Sequence, residues 1–509
     1  MPRSARGAAR LLGFVLVTAA LAACAPSAAD PAPASTTSTT SSAAPSPSTT
    51  TSSSPAPVPE PVALAADRGR RSGGVVAVGG GDSAYNYAPT LVVEGGKYRM
   101  WWCSQLGVAQ PAGDDVLYAE APSVNGPFTA PGGAPATPVL SGSGSGFDAM
   151  HTCDPSVIKV GGVHYLYYTA AERDNLDNGS AVGVAVSPDG LTWTRQGNGP
   201  IITPSGEVIR DNVYGAGQVS ALWLDGWVYL MFTDTTGAAA GWNGAGQFVL
   251  RSQDPTFATG VQALGPDGFK SAPDTRSRTR SIVDAFSADW MYVDALQAFV
   301  IAHSTDHGTT LTSWNRDFTA KPHPPVHIPG PWQEGPGLVR TPTGHAPASP
   351  EDPCGRVPVD VVRATVKGES GAPTDLARFG LDLAGVPGCA TKEAARVLDG
   401  FAVPSPENTV DLVLAGEVVR VERRSVAHRL ARRVLDRRPP VVDRLEVVER
   451  VPAEAPAVRA PDGQVGLLLE GDRLWLVNDA EVAALNSSPI TDVTRGTWED
   501  YEKAGGLRR

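Results

Sequence analysis

The sequence predicts an all-β fold, a five-bladed β-propeller followed by a smaller C-terminal α+β accessory module. Three observations carry that expectation. First, related hairpin-like segments recur along the chain: APTLVVEGGKYRMWWC (88–103), CDPSVIKVGGVHYLYYT (153–169), QVSALWLDGWVYLMFT (218–233), ADWMYVDALQAFVIAHS (288–304) and the weaker GPGLVRTPTGHAPA (335–348). In each, β-branched and aromatic residues flank a turn, at Gly95, Gly161, Asp225, Ala295 and Gly344, which is a hairpin signal. Second, an aromatic landmark repeats in step at Phe128, Trp193, Phe257 and Phe318, with spacings of 65, 64 and 61 residues. Third, that period is long enough for a four-stranded antiparallel sheet per unit. Radial repetition of such sheets leaves only short, protected edges. A two-sheet sandwich would not impose the even spacing.

The elements follow in chain order. Arg3, Arg6 and Arg10 precede an apolar run, residues 11–23, that is too short for a stable transmembrane span. It ends Leu21-Ala22-Ala23-Cys24, which resembles a bacterial lipobox. The resemblance implies a signal peptide over 1–24, Cys24 as the lipidated first mature residue, and an exported protein anchored to the cell membrane and facing outside. An ordinary secretory signal is the alternative. Residues 25–72 begin with a tract of Ala, Pro, Ser and Thr that buries too little apolar surface to offset its ordering entropy, so they read as a disordered linker. The propeller is assigned to 73–385. RVPVDVVRAT and LARFGLDL supply outer strands of the last blade, and GGVVAV (73–78) is expected to pair there and close the ring. Residues 386–509 form the accessory module, with helical spacing in TKEAARVLDGF and SVAHRLARRVLDRR and glycine-turn hairpins in TVDLVLAGEVVRVE and QVGLLLEGDRLWLVND. Its last stretch resembles small modules appended to bacterial surface proteins.

The net charge is −11, and no basic block suggests nucleic acid as a partner. The membrane is expected to be engaged only through the lipid, and the chain reads as a monomer. Setting Cys24 aside, Cys103, Cys153, Cys354 and Cys389 allow three pairings. Their positions in adjacent units favour Cys103–Cys153 and Cys354–Cys389. No cysteine spacing suits zinc, and His303/His307 and His323/His327 do not share a helical face. No metal or cofactor is required, although a structural ion could sit in a propeller channel. GGG at 79–81 lacks the helix and lysine of a phosphate loop, and no G-x-S-x-G occurs.

In a propeller the first strand of each blade lines the channel. Its opening residues here are Ala88, Asp154, Gln218, Ala288 and Gly335, the last preceded by Glu334. At this point YNYAPTLVVEGGKYRMWWC, CDPSVI with HYLYYT, and YGAGQVSALWLDGWVYLMFTDTT resemble the propellers of glycoside hydrolase family 43 and its relatives, over residues 73–345. The resemblance implies carbohydrate as the partner, and a carboxylate base, a carboxylic acid and a third Asp that tunes the acid. It places Asp154 at the tuning Asp. The family's base and acid positions hold Ala88 and Gln218, which cannot serve. Glu334, in WQEGPGLV, matches the acid motif locally but on another blade.

Hydrolysis of a glycoside by inversion needs two carboxyls flanking the bond with room for water between them. Asp154, Glu334, Asp82 and Asp148 are the catalytic candidates, with Asp211, Asp284 and Asp289 nearby in sequence. Tyr85, Asn86, Tyr87, His151, Tyr214, Gln218, Asp289 and Trp290 are candidates for sugar contact by stacking or hydrogen bonding. Trp101, Trp102, Tyr165, Tyr167 and Tyr168, on second strands, read as interblade core. Three functions stay open: a surface glycoside hydrolase acting on glycans such as pentose-containing ones, a catalytically inactive sugar-binding propeller, and an envelope scaffold. One architecture hosts many functions, so the site must decide.

Overall fold

The computed structural model describes residues 60–78, 85–106, 109–174, 176–332, 334–365, 375–386, 388–469, 473–477 and 480–504. Cys24 and Asp82 lie outside them.

Five sheets form the propeller. The first blade is β2 (Asn86–Glu94), β3 (Lys97–Ser104), β4 (Asp115–Ala121) and β5 (Thr137–Leu140). The second is β6 (His151–Val160), β7 (Val163–Ala171), β8 (Ala181–Ser187) and β9 (Thr194–Arg195). The third is β10 (Ala216–Leu224), β11 (Trp227–Asp234), β12 (Gln247–Ser252), β13 (Gln262–Gly265) and β14 (Gly268–Ser271). The fourth is β15 (Ala288–Val293), β16 (Ala298–Thr305), β17 (Gly308–Asn315) and β18 (Val326–Ile328). The fifth is β19 (Gly337–Arg340), β20 (Arg356–Ala364) and β21 (Leu376–Ala384), completed by β1 (Ala65–Arg71) from the N-terminal side.

Inner strands neighbour one another in the order β2, β6, β10, β15, β19 and back to β2. The last step is a parallel pairing of Val339 and Arg340 with Leu91 and Val92, which joins the fifth blade to the first. The outer strand that the N-terminal side adds to the fifth blade is β1, inside the stretch that composition assigns to the linker. Of GGVVAV, only Ala77 bridges to Leu376.

Apolar side chains explain the radial packing. Five clusters each span one blade interface. Trp101, Tyr118, Leu166 and Tyr168 fill the first, and Tyr167, Leu230 and Phe232 the second. Trp290, Phe299 and Phe318 belong to the third, Phe379 to the fourth, and Trp102 to the fifth. Each sheet is therefore covered on both faces by its neighbours, so its strands read as nearly continuous apolar runs rather than alternating ones. Cys103–Cys153 joins the first two blades, and Cys354–Cys389 joins the fifth blade to the start of the C-terminal module.

The C-terminal module holds an internal duplication. Its first sheet comprises β22 (Phe401–Pro404), β23 (Val410–Leu414), β24 (Glu417–Val421), β25 (Arg433–Val434) and β26 (Val447–Val451) in the order β25-β22-β23-β24-β26. Its second comprises β27 (Ala457–Arg459), β28 (Val465–Leu468), β29 (Leu474–Leu476), β30 (Ile490–Asp492) and β31 (Lys503–Ala504) in the order β30-β27-β28-β29-β31. Both are antiparallel three-stranded meanders flanked by two parallel strands. The registers correspond: Ala402 faces Leu412 as Ala457 faces Leu467. The helix Arg424–Leu430 buries Val426 and Ala427, as Ala480–Leu485 buries Val482 and Ala483. One core runs through both halves. The helical spacing read over SVAHRLARRVLDRR thus yields a helix for its first part only. The chain then extends into β25, where Phe401 and Ala402 pair with Arg433 and Val434.

Candidate functional site

Three inner strands share one local device. Their ladders slip between Tyr87 and Thr90, between Cys153 and Ser156, and between Gly217 and Ser220. At each slip one residue is left-handed: Ala88 at φ 47°, Asp154 at 44° and Gln218 at 49°. Such bulges re-aim a side chain, and non-glycine residues accept this conformation only where surroundings enforce it. Gly335 fills the matching place on the fifth blade at φ 63°. A Cβ there would meet Ala88 Cα at 2.5 Å, so both small residues belong to one close approach.

Two residues past each bulge come Thr90, Ser156 and Ser220. Their hydroxyls converge on the fully buried Arg340. Its guanidinium donates to Thr90 Oγ1 at 2.7 Å, Ser156 Oγ at 3.4 Å, Ser220 Oγ at 3.2 Å and the carbonyls of Ala221 and Trp290, each at 3.0 Å. Asp289 lies 3.2 Å away as its counter-ion. The axial position considered for a structural ion is thus filled by a guanidinium from the fifth blade that touches groups of the other four.

Above this plug opens a pocket of about 600 Å³, lined by Tyr87, His151, Asp154, Tyr214, Gln218 and Glu334 among others. The Tyr214 hydroxyl donates to Asp154 Oδ2 at 3.0 Å. Gln218 Nε2 donates to Glu334 Oε1 at 2.5 Å. Burial pushes the Asp154 carboxyl up to about 7, and the Glu334 charge adds to the rise, against hydroxyl donation from Thr169 and Tyr214. Burial also raises Glu334, opposed by the Gln218 amide. Burial and the Asp154 charge hold the Tyr214 phenol well above its ordinary value, so it stays a donor.

His151 spans two carboxylates, with Nδ1 3.0 Å from Asp114 Oδ2 and Nε2 3.0 Å from Asp174 Oδ1. The Asp114 contact raises its pKa despite burial. Both ring nitrogens are committed, so His151 shapes the wall rather than offering a free nitrogen to a sugar. Tyr87 lines the pocket and stacks on Tyr85 with centroids 4.9 Å apart. Asp211 stands on the exposed rim.

Four expected site residues are structural instead. Asp148 is buried against the second blade and accepts from Ser143 at 2.7 Å, Tyr168 at 2.9 Å and Arg195 at 2.5 Å. These donors overcome burial and lower its pKa. Asn86 accepts from Trp102 Nε1 at 2.8 Å and donates to the Val78 carbonyl at 3.1 Å. Asp289 is on the axis, accepting from Ser220 Oγ at 2.5 Å and Leu338 N at 2.7 Å. The fourth inner strand has no bulge, so Ala288 pairs regularly with His303 and Asp289 keeps to the channel side. Trp290 is fully buried, donates to the Ser220 carbonyl and stacks on Phe299.

Asp114, Asp174, Thr169 and Arg340 belong to the site or its floor and carried no sequence signal as loop or strand-end residues. Cys103, Asp114 and Cys153 approach one another within 4.8 Å, but the two sulfurs are bonded together, which leaves no thiolate for a metal.

No protein-family model and no curated protein matches the chain. Among solved structures, it is similar to a family 117 glycoside hydrolase from Zobellia galactanivorans, at 12% identity and a TM-score of 0.42, covering 62% of this chain and 91% of that one. It is also similar to the catalytic domain of a GH62 α-L-arabinofuranosidase from Coprinopsis cinerea, at 12% identity and 0.39, covering 62% and 97%. A third is the Podospora anserina α-L-arabinofuranosidase PaAbf62A in complex with cellotriose, at 11% identity and 0.40, covering 63% and 98%.

Proposed function

We propose that the protein is a glycoside hydrolase whose acid is Asp154 and whose base is Glu334. The supporting observation is that two carboxyls with raised pKa, each held by its own donor, line one open pocket at the mouth of the propeller. Glu334 keeps part of its surface exposed and accepts an amide N–H, so it ionises first. Its charge then helps keep Asp154 protonated toward neutral pH. That split assigns the roles: Asp154 protonates the leaving oxygen, and Glu334 takes a proton from the attacking water. Glu334, entering from the fifth blade, supplies the carboxylate that Ala88 and Gln218 cannot.

The substrate class this reading favours is a pentose-containing glycan outside the cell. The reading includes export and a lipid anchor at Cys24, with the Ala/Pro/Ser/Thr tract as tether. A second reading, sugar binding without turnover, is favoured by Ala88 and Gln218 themselves. A panel of 4-nitrophenyl glycosides, including α-L-arabinofuranoside and β-D-xyloside, separates the two. Turnover that falls at least a hundredfold in both Asp154→Asn and Glu334→Gln supports the hydrolase. Sugar binding with no turnover supports the second reading, and turnover that survives both substitutions refutes the assigned roles.

A further inference from the structure

Trp242 is 82% exposed, in a protein that buries most of its large aromatics. It stands on a short turn, Trp242–Gly244, between β11 and β12. The turn is well anchored. Gly241 N–H donates to the Ala245 carbonyl at 2.6 Å, and Ala245 N–H to the Trp242 carbonyl at 2.9 Å. Gly244 sits at φ 87°, where a Cβ would meet Thr235 Cα at 2.8 Å. Asn243 is left-handed at φ 47°, and its Oδ1 accepts the Asn212 N–H at 3.1 Å.

That bond leads to the pocket. Asn212 and Val213 line it, and their loop carries Ile209, 92% exposed, and Val213, 42% exposed. The loop is fixed to the same strand end: Val208 N–H donates to the Thr236 carbonyl at 2.9 Å, and Arg210 Nη1 to the Thr235 carbonyl at 2.6 Å. Two loops bonded to each other thus hold three apolar side chains in water, on segments that continue from the pocket wall at Asn212 and Val213. A rigid backbone beneath a bare indole suits a flat apolar partner such as the C–H face of a sugar ring.

We propose that Trp242, with Ile209, forms an outer subsite that holds a further sugar of a chain whose reacting unit occupies the pocket. The substrate is then a polysaccharide or long oligosaccharide rather than a free disaccharide. The inference deepens the hydrolase reading and rests on it for the pocket's occupant; continuity with the pocket wall through Asn212 and Val213 favours saccharide over a protein partner.

Affinity electrophoresis of the full chain through gels containing arabinan, arabinoxylan or xylan tests it, with Trp242→Ala and Ile209→Ser beside the wild type. Retardation about tenfold weaker in Trp242→Ala, with 4-nitrophenyl glycoside turnover unchanged, is the expected result. Equal retardation of wild type and Trp242→Ala overturns the subsite. Wild-type turnover of aryl glycosides without retardation by any polymer also overturns it, and leaves the hydrolase reading standing. Retardation lost in Trp242→Ala, with no turnover by the wild type, keeps the subsite and removes the catalytic claim. A change of oligomeric state in Trp242→Ala, seen by light scattering without a change in retardation, assigns the exposed indole to contact with a second copy of the chain and overturns the proposal.

Discussion

Gln218 reaches from the third blade to Glu334, which enters from the fifth, and donates Nε2 to Oε1 at 2.5 Å. The bond explains why an amide stands at an inner-strand bulge that points into the pocket. It stabilises the ionised form of Glu334 against the burial that raises it. Gln218→Met removes the donor at similar volume. A hydrogen bond to a charged group contributes about 1.5–3 kcal/mol, so the Glu334 pKa is expected to rise by roughly one to two units. In the hydrolase reading the acid limb of the pH–kcat/KM profile moves upward by that amount, while KM changes little. An unchanged acid limb would take the base role away from Glu334.

Asp154 carries a stability cost. Its folded pKa, about 7, exceeds the ordinary value of 3.8, so the folded state binds the proton more tightly. Its contribution is therefore full below about pH 4 and is lost as pH rises toward and through 7. Asp154→Asn cannot ionise, and Tyr214 can still donate to its carbonyl oxygen. The variant is expected to be more stable than wild type at pH 8, by an amount on the order of 2–4 kcal/mol, and to match it near pH 4. Thermal unfolding across pH 4–8 reads the gap directly. A gap that does not grow with pH would mean Asp154 is already ionised when buried.

These two carboxyls show how far the chain could be read from its sequence. The repeat is legible because every blade must cover its neighbours with apolar strands at a fixed spacing. Asp154 is legible because it opens an inner strand. On the fourth inner strand Ala288 holds the matching place and Asp289 follows it, yet only the first three inner strands bulge. Without the left-handed residue the fourth strand keeps its regular ladder, and Asp289 serves Arg340 instead. Asn86 and Trp290 were expected near the pocket for their positions, but buried indoles need hydrogen-bond partners, and Trp102 and Ser220 claim those groups. Trp242 stands in the loop TTGAAAGWNGAGQ, where no periodicity marks a role. The C-terminal duplication was hidden for a different reason: the two halves share packing positions, such as Val410 with Val465 and Leu412 with Leu467, amid otherwise dissimilar residues.

His345 offers a separate pH test. Its Nδ1 lies 2.7 Å from Asp294 Oδ2 and its Nε2 2.8 Å from the Trp223 carbonyl. Both partners only accept, so the ring is doubly protonated and links turns of the third, fourth and fifth blades. Burial and nearby Arg396 oppose the charge, but Asp294 and the carbonyl prevail and raise the pKa above 6.5. The contribution is thus present below pH 6.5 and lost as pH rises through the folded pKa. His345→Gln is expected to lose about 3 kcal/mol at pH 6, with the difference from wild type shrinking at higher pH. Denaturant unfolding at pH 6 and pH 9 measures both. A constant difference would show that the ring is neutral throughout.

The axial pair makes the sharpest demand on the fold. Arg340 is fully buried, and its counter-ion Asp289 is nearly so. Removing one charge strands the other in a low-dielectric channel, at a cost of about 3–5 kcal/mol. Arg340→Met is therefore expected to lower the unfolding midpoint strongly, because Asp289 must be buried charged or take up a proton. Arg340→Lys should recover little, since one ammonium cannot serve hydroxyls and carbonyls of four other blades at once. Adding Asp289→Asn to Arg340→Met should restore part of the loss, as the buried charge is then gone and the amide oxygen can still accept from one of the two donors, Ser220 and Leu338, that the carboxylate serves with separate oxygens. The double-mutant cycle isolates the coupling. If Asp289→Asn makes Arg340→Met worse, the channel depends on Asp289 for its bonds to Ser220 and Leu338 more than for its charge, and the guanidinium is held by the ring of neutral acceptors alone.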